Sequence, residues 1–340
     1  MKLIEIRHDV TGFFLYDGEE TLIHKDKIEI GKVVLPVEKN EVFHCVNEVL
    51  YKESFNENNC RASLSFRFDG KTFVEEKYRY EIATYFSRQQ YCSVDSKNGK
   101  IKLSFVENDK ETLSEFESGD DDYFALHYAI SQNVLILYSY CDNSLLFYTK
   151  TGERLWEYQV EEGLEIYEDA VVVVDDTVVI TCTENNKIVS VEGYKLLTGE
   201  KIWDVEDLEN CDYDYVIGPD QMLYALSSYL CKDHSNELRL TKLNPFTGEI
   251  ESAVLREGDY WSEIWPRNTT IYGNKLFYVN ETDSQGCSFG VVDLDTKELI
   301  EDFPMESQGN QIEKPIVTDD KIYVRVRELN ELRIYENEYR

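Results

Sequence analysis

The sequence predicts an all-β chain folded as a single seven-bladed β-propeller over residues 1–340, its four-stranded antiparallel blades closed by pairing of N- and C-terminal strands. Three observations carry that expectation. The composition favours pleated, half-buried surfaces: 24 Tyr, 16 Phe and 4 Trp stand among short runs of Val, Ile and Thr. A hairpin-like unit recurs every 42–54 residues, the length of a four-stranded blade. A second, glycine-bearing turn follows it in phase. No Pro/Ser/Gly-rich linker or low-complexity tract divides the chain.

The first unit is an apolar run, a short polar turn and a second apolar run. Clear copies are Val171–Ile180, Val216–Tyr224, Thr270–Tyr278 and Pro315–Tyr323, with looser ones around Asn47, Gln89 and Gln132. Their turns fall near 47, 89, 132, 176, 220, 274 and 320, seven in all. The second unit is a strand, a tight turn and a returning strand. It reads Tyr148–Trp156, Tyr194–Trp203 and Leu243–Ile250, with a fainter copy at Phe66–Phe73 and a copy at Val292–Ile300 that has lost its glycine. Such turns need Gly or a small polar residue where φ is positive. Asn98-Gly99 reads as an ordinary hairpin turn inside a compact blade; taken as another glycine anchor, it gives the alternative of six blades with an insertion. The last unit supplies three strands, near 314–318, 321–328 and 331–336. Its missing outer strand is expected from the other terminus, at Leu3–Ile6 or Phe13–Tyr16, because closure removes sheet edges that invite aggregation.

The segments Thr151-Gly152-Glu153-Arg154-Leu155-Trp156 and Thr198-Gly199-Glu200-Lys201-Ile202-Trp203 resemble the PQQ-like propeller repeat, and the clear copies cover roughly 140–300. Trp156 and Trp203 recur at blade spacing, as inter-blade packing demands. The resemblance also implies a quinone cofactor in the family's exported quinoprotein enzymes, which often hold an adjacent cysteine pair. This chain has no adjacent cysteines, and no cofactor is expected. The repeat is shared with non-enzymatic scaffolds, so the fold alone does not assign an activity.

With 67 acidic against 35 basic residues, the net charge is −32. That balance argues against nucleic acid and anionic membranes as partners, because both would be repelled. It favours a basic partner, a cation, or simply high solubility. The opening Met1-Lys2-Leu3-Ile4-Glu5-Ile6-Arg7 lacks the apolar core of a signal peptide, and no apolar run reaches the length of a membrane span. Cys45, Cys60, Cys92, Cys141, Cys182, Cys211, Cys231 and Cys287 are scattered singly, as reduced core thiols would be. A cytoplasmic protein is expected. His8, His24, His44, His127 and His234 show no metal-ligand spacing, and Gly119-Asp120-Asp121-Asp122-Tyr123 lacks the alternation of a calcium loop, so no metal site is expected. No nucleophile or phosphate-binding motif is present, and no catalytic residue is assigned.

Acidic and aromatic residues coincide in the segments that join one blade's outer strand to the next blade's inner strand. Four consecutive connections carry them: Glu117, Asp120, Asp121, Asp122 and Tyr123; Glu161, Glu162, Glu165, Tyr167, Glu168 and Asp169; Glu206, Asp207, Glu209, Asp212, Tyr213, Asp214 and Tyr215; Glu257, Asp259, Tyr260, Trp261, Glu263 and Trp265. In a propeller these all emerge on one face. Aromatic side chains give rigid contact area, and clustered carboxylates steer basic partners towards it. The expected function is therefore a non-enzymatic protein-binding platform whose acidic, aromatic face takes a basic protein, most specifically an immunity or antitoxin protein that blocks a toxin. The alternative is a hydrolase or lyase with its site in the central channel. That reading needs converging polar groups, whereas the inner runs Val171–Val174 and Ile316-Val317 are aliphatic.

Overall fold

A computed structural model describes residues 1–46, 49–55, 62–75, 82–87, 90–97, 100–107, 110–117, 124–127, 134–139, 143–149, 153–166, 170–185, 187–205, 215–230, 236–258, 269–280, 287–305 and 312–339. Among them the chain forms eight four-stranded antiparallel sheets and no α-helix. In chain order they span 12–36, 41–75, 82–117, 124–159, 171–204, 216–258, 269–305 and 316–336, and are called sheets 1 to 8. Within each, consecutive strands are neighbours, the simplest path for an alternating chain with short turns. Sheet 8 has only three strands of its own; its fourth is Leu3–Arg7, antiparallel to Glu331–Glu336. Of the two segments expected to complete the last unit, the first does so. Gly12–Tyr16 instead opens sheet 1.

All seven expected turn positions lie between the first and second strands of sheets 2 to 8. The expectation of seven units is nonetheless one short of the sheets observed, and the six-unit alternative is two short. Sheet 1 is the addition. Its strands are four or five residues long, and its first turn, Asp17-Gly18, precedes the next by far less than the spacing of the others. Both turn residues have positive φ, 55° and 75°, the geometry of a two-residue hairpin turn. The glycine-type turns all join third to fourth strands. Where the copy at Val292–Ile300 has no glycine, Lys297 itself adopts φ 57°, and the Asp293 carboxylate accepts from the backbone N–H groups of Asp295 and Thr296 at 2.9 and 3.0 Å.

The chain divides into two compact units, Asp9–Gln159 with sheets 1 to 4 and Met1–His8 plus Val160–Arg340 with sheets 5 to 8. In the second unit, each sheet packs its face on the next. Val174, Val191 and Trp203 of sheet 5 meet Leu223, Ala225 and Leu243 of sheet 6. Tyr224 and Leu240 meet Leu276 and Val292, and Phe277 and Phe289 meet Ile322 and Val324. The first strands of sheets 6, 7 and 8 lie side by side, as inner strands of successive blades do. In the first unit Tyr16, Ile28 and Ile30 of sheet 1 pack on Phe43, Leu50 and Phe68 of sheet 2.

Trp203 fastens one such interface. It stands directly opposite Gly193 in its own sheet, and a Cβ at that glycine would lie 2.2 Å from the indole. A Cβ at Gly248, in the turn of sheet 6, would lie 2.8 Å from the ring, and the indole N–H donates to the Pro245 carbonyl at 2.9 Å. The buried ring is thus clamped between two glycines, with its one polar group satisfied. The expected inter-blade role holds for Trp203. Trp156 stacks on Phe147, its cross-strand partner, with ring centroids 3.7 Å apart.

Candidate functional site

The meander order of each sheet puts its fourth strand's exit at the same end as its second-to-third-strand turn. The fourth strand that precedes each acidic connection therefore ends there. Asp120, Asp121, Asp122, Tyr123, Tyr167, Glu168, Asp169, Asp212, Tyr213, Asp214, Asp259, Tyr260, Trp261, Glu263 and Trp265 lie outside the described residues. Tyr215 is described, and its place corrects the expectation. It is 8% exposed and packs with Val174, Trp203 and Leu223, so the aromatic ring belongs to the interface between sheets 5 and 6 rather than to a partner face.

Three of the described connections have roots tied to the second strand of the sheet they enter. In sheet 1, Thr11 N–H donates to the Ile23 carbonyl at 2.7 Å, and His24 Nδ1 donates to the Asp9 carbonyl at 3.0 Å. Entering sheet 5, Glu165 and Thr183 exchange two backbone hydrogen bonds, at 2.8 and 2.9 Å. Entering sheet 8, Ile312 bridges Val326, and Glu313 N–H donates to the Arg325 carbonyl at 2.9 Å. Each root extends its sheet by about one residue beyond the first strand. That satisfies backbone groups next to the core and holds the rest of the connection at a fixed starting point.

The connection into sheet 5 shows how sequence sets this up. Val160, Ile166 and Ala170 are buried and anchor the segment at intervals. Between them Gly163, at φ 88°, turns the chain back. Glu161, Glu162 and Glu165 are exposed on the rooted stretch. At sheet 8 the chemistry is mixed. Arg325 is buried, and burial pulls its guanidinium below the ordinary arginine range while the nearby Glu313 carboxylate favours the charge. Glu313 also accepts from Arg327 Nε at 2.8 Å. This triad was not anticipated, although the alternation Val324-Arg325-Val326-Arg327 already placed two arginines on one strand face.

These rooted carboxylates can receive ammonium and guanidinium groups, and the arginine pair can orient a carboxylate beside them. Among the described residues no group of three or more His, Cys, Asp or Glu side chains is arranged to hold a metal ion. The first strands of sheets 5 to 8 are aliphatic or hydroxyl-bearing, with Ile217 exposed and Val171–Val173, Ile271, Ile316 and Val317 half-buried. No helix among the described residues is long and apolar enough to cross a membrane. Cys45 Sγ donates to the Leu15 carbonyl at 3.6 Å, and Cys182 is buried.

The family model described as outer membrane protein assembly factor BamB matches residues 125–335. No curated protein matches the sequence. The crystal structure of BamB from Moraxella catarrhalis superposes with a TM-score of 0.59 at 12% identity, covering 99% of this chain and 98% of that one. The β-propeller domain of Myceliophteria thermophila Cps50 (Swd1) matches at a TM-score of 0.47 and 9% identity, over 98% of both chains. At these identities the likeness concerns the fold.

Proposed function

Because the chain belongs to the family of the outer membrane protein assembly factor BamB, a family of PQQ-like propellers, we propose that it is a non-enzymatic protein-binding propeller, one domain over residues 1–340, whose connection face takes a basic protein. Propellers of this type commonly serve protein interaction. The observation that carries the reading is the rooted connection into sheet 5, where three exposed carboxylates, Glu161, Glu162 and Glu165, sit on backbone held by the second strand. Preorganised charge of one sign steers an oppositely charged partner and loses little entropy on docking. The acidic and aromatic residues further along the same connections extend the surface in sequence, and the net charge of −32 gives the whole molecule the same sign.

The finer reading is an immunity or antitoxin protein acting in the cytoplasm, which blocks a basic toxin such as a nuclease by covering its active site. A second reading, favoured by the family's description, is a scaffold in the assembly of other proteins. One experiment separates them. The chain is used to capture partners from its native lysate at low salt, with elution along a salt gradient. The inhibitor reading expects a single basic protein, released only at high salt, with capture weakened by charge reversal at Asp212, Asp214 and Asp259 or at Glu161 and Glu162. A multi-protein assembly would favour the scaffold. No enriched partner, or one indifferent to the reversals, overturns the acidic-face reading.

A further inference from the structure

The outermost strand of sheet 8 differs from its counterparts. Leu3–Arg7 pairs on one side with Glu331–Glu336, and no described strand lies beyond it. Leu3, Ile4 and Ile6 are 45%, 52% and 38% exposed, three large apolar side chains within four residues. Among the described side chains, the other outer strands of the same unit each expose one: Ile202 in Lys201–Asp204, Val254 in Ile250–Gly258 and Ile300 in Glu298–Met305. Those strands surround it with Lys201, Asp204, Glu251, Arg256, Glu257 or Glu298, and Glu298–Met305 also carries Pro304. Charges and proline are the usual protection of a sheet edge. Leu3–Arg7 has Glu5 and Arg7 but no proline, and differs chiefly in its three exposed apolar side chains.

The strand is also complementary to itself. Its charged residues, Glu5 and Arg7, are two apart and form an ion pair with contacts of 3.0 and 3.1 Å. If two copies meet antiparallel with Ile6 opposite Ile6, Glu5 of each stands opposite Arg7 of the other. A shift of two residues one way sets Glu5 against Glu5, and the other way Arg7 against Arg7, so charge selects the register. A bulge lies between Leu3 and Glu5. The partners of Leu3 and Ile6 are Tyr335 and Arg333, two residues apart, so both apolar side chains lie on one face of the sheet. Across a two-fold axis at Ile6 the two Ile6 side chains meet on that face, while each Leu3 stands opposite Asp9 of the other copy.

We propose that a second copy of this chain docks here, edge to edge through Leu3–Arg7, and joins two copies of sheet 8 into one eight-stranded sheet about a two-fold axis. The shared edge is roughly 17 Å long for five residues, small for a protein interface, so the dimer is concentration-dependent. The net charge of −32 on each copy opposes approach at long range. Added salt up to about 0.15 M screens that repulsion, so self-association strengthens with salt, the opposite of capture of a basic partner. The two proposals can therefore fail separately.

The test is sedimentation equilibrium of the full chain over a dilution series near 0.15 M salt, with circular dichroism to confirm folding. The wild type should pass from monomer to dimer. E5R and R7E each set like charges opposite each other and should weaken the dimer roughly tenfold or more. An equimolar mixture of the two variants restores opposite charges across the seam, and a heterodimer should recover the wild-type strength. Ile6→Lys, which opposes two ammonium groups at the axis, should also be monomeric and serves if either charge variant fails to fold. A wild type monomeric throughout, a dimer unmoved by these variants, or a mixture that stays monomeric overturns the proposal.

Discussion

Sheets 4 and 5 each place a tryptophan just after the same turn of the repeat, and the two rings settle differently because of the residue across from each. Opposite Trp203 stands Gly193, which lets the indole lie flat on the sheet and reach the Pro245 carbonyl of sheet 6. Opposite Trp156 stands Phe147, which takes the space against the sheet and leaves the indole stacked above it and half-buried. Phe147 is fully buried, so apolar contact is conserved in both sheets while the fastening differs. One cross-strand position decides whether the tryptophan becomes a clamp on the neighbouring sheet or a lid on its own. The repeat motif itself does not carry that information.

The largest expected effect is the loss of the clamp. Trp203→Ala removes a buried ring and its hydrogen bond, and should lower stability by about 3–5 kcal/mol. Trp156→Ala uncovers Phe147 but opens no closed cavity, and about half that loss is expected. Urea titrations of both variants would measure the difference. Equal losses would mean that the glycine seat adds nothing and that the comparison is empty.

The next effect sharpens the comparison by changing the seat rather than the ring. Gly193→Ala puts a methyl where the indole already lies, so the ring must leave its place or the strands must part. Gly248→Ala meets the other face of the ring and also forces φ 76° on a residue with a side chain. Each should cost about 1–3 kcal/mol and shift Trp203 fluorescence towards that of a solvated indole. A loss of stability with unchanged emission would locate the damage in the backbone instead of the clamp.

Much of this architecture was legible because its signals are local. Hairpin turns need particular residues at particular places, so Asp175-Asp176, Gly273-Asn274 and Asp319-Asp320 marked the first hairpins of their sheets without any knowledge of the core. Sheet 1 escaped a search keyed to long spacing, although Asp17-Gly18 is a strong hairpin dipeptide. Tyr215 shows the opposite limit. Its neighbours in sequence are acidic, which made it read as part of an exposed face, but only the packing of Val174 and Leu223 around it decides its burial. Arg325 was likewise hidden, since a strand's alternation gives its face and not what that face meets. Of the candidate face itself, Tyr215 and the glutamates at the connection roots, such as Glu161, Glu162 and Glu165, are described, and the rooted backbone that supports the face depends on pairings between segments up to 18 residues apart.

The smallest effect concerns a fastening that sheets 5, 6 and 7 share, where the glycine seat plays no part. Asp176 lies 2.9 Å from Lys195, Asp220 2.9 Å from Lys242, and Asp293 2.9 Å from Lys275. The hydrogen bond from Lys195 holds the Asp176 carboxyl below its usual range, and that from Lys275 does the same for Asp293. At Asp220 burial works to raise the carboxyl, but bonds from Lys242, Tyr224 and the Met222 N–H together outweigh it. A carboxyl lowered in the folded state contributes stability that is full above the unfolded value, near 3.8, and is lost as pH falls through the folded one. Melting temperature should therefore hold from neutral pH to about pH 5 and then decline towards pH 2. Asp176–Lys195 and Asp220–Lys242 are substantially exposed and contribute at most about 1 kcal/mol each, whereas Asp293–Lys275 is part-buried, so Asp176→Asn should remove only a small part of the acid decline. Trp203→Ala should lower the whole profile without changing its slope, since the clamp holds no titrating group. A changed slope in that variant would mean that the turn pairs depend on the clamp, and that the two fastenings of sheets 5 and 6 act as one.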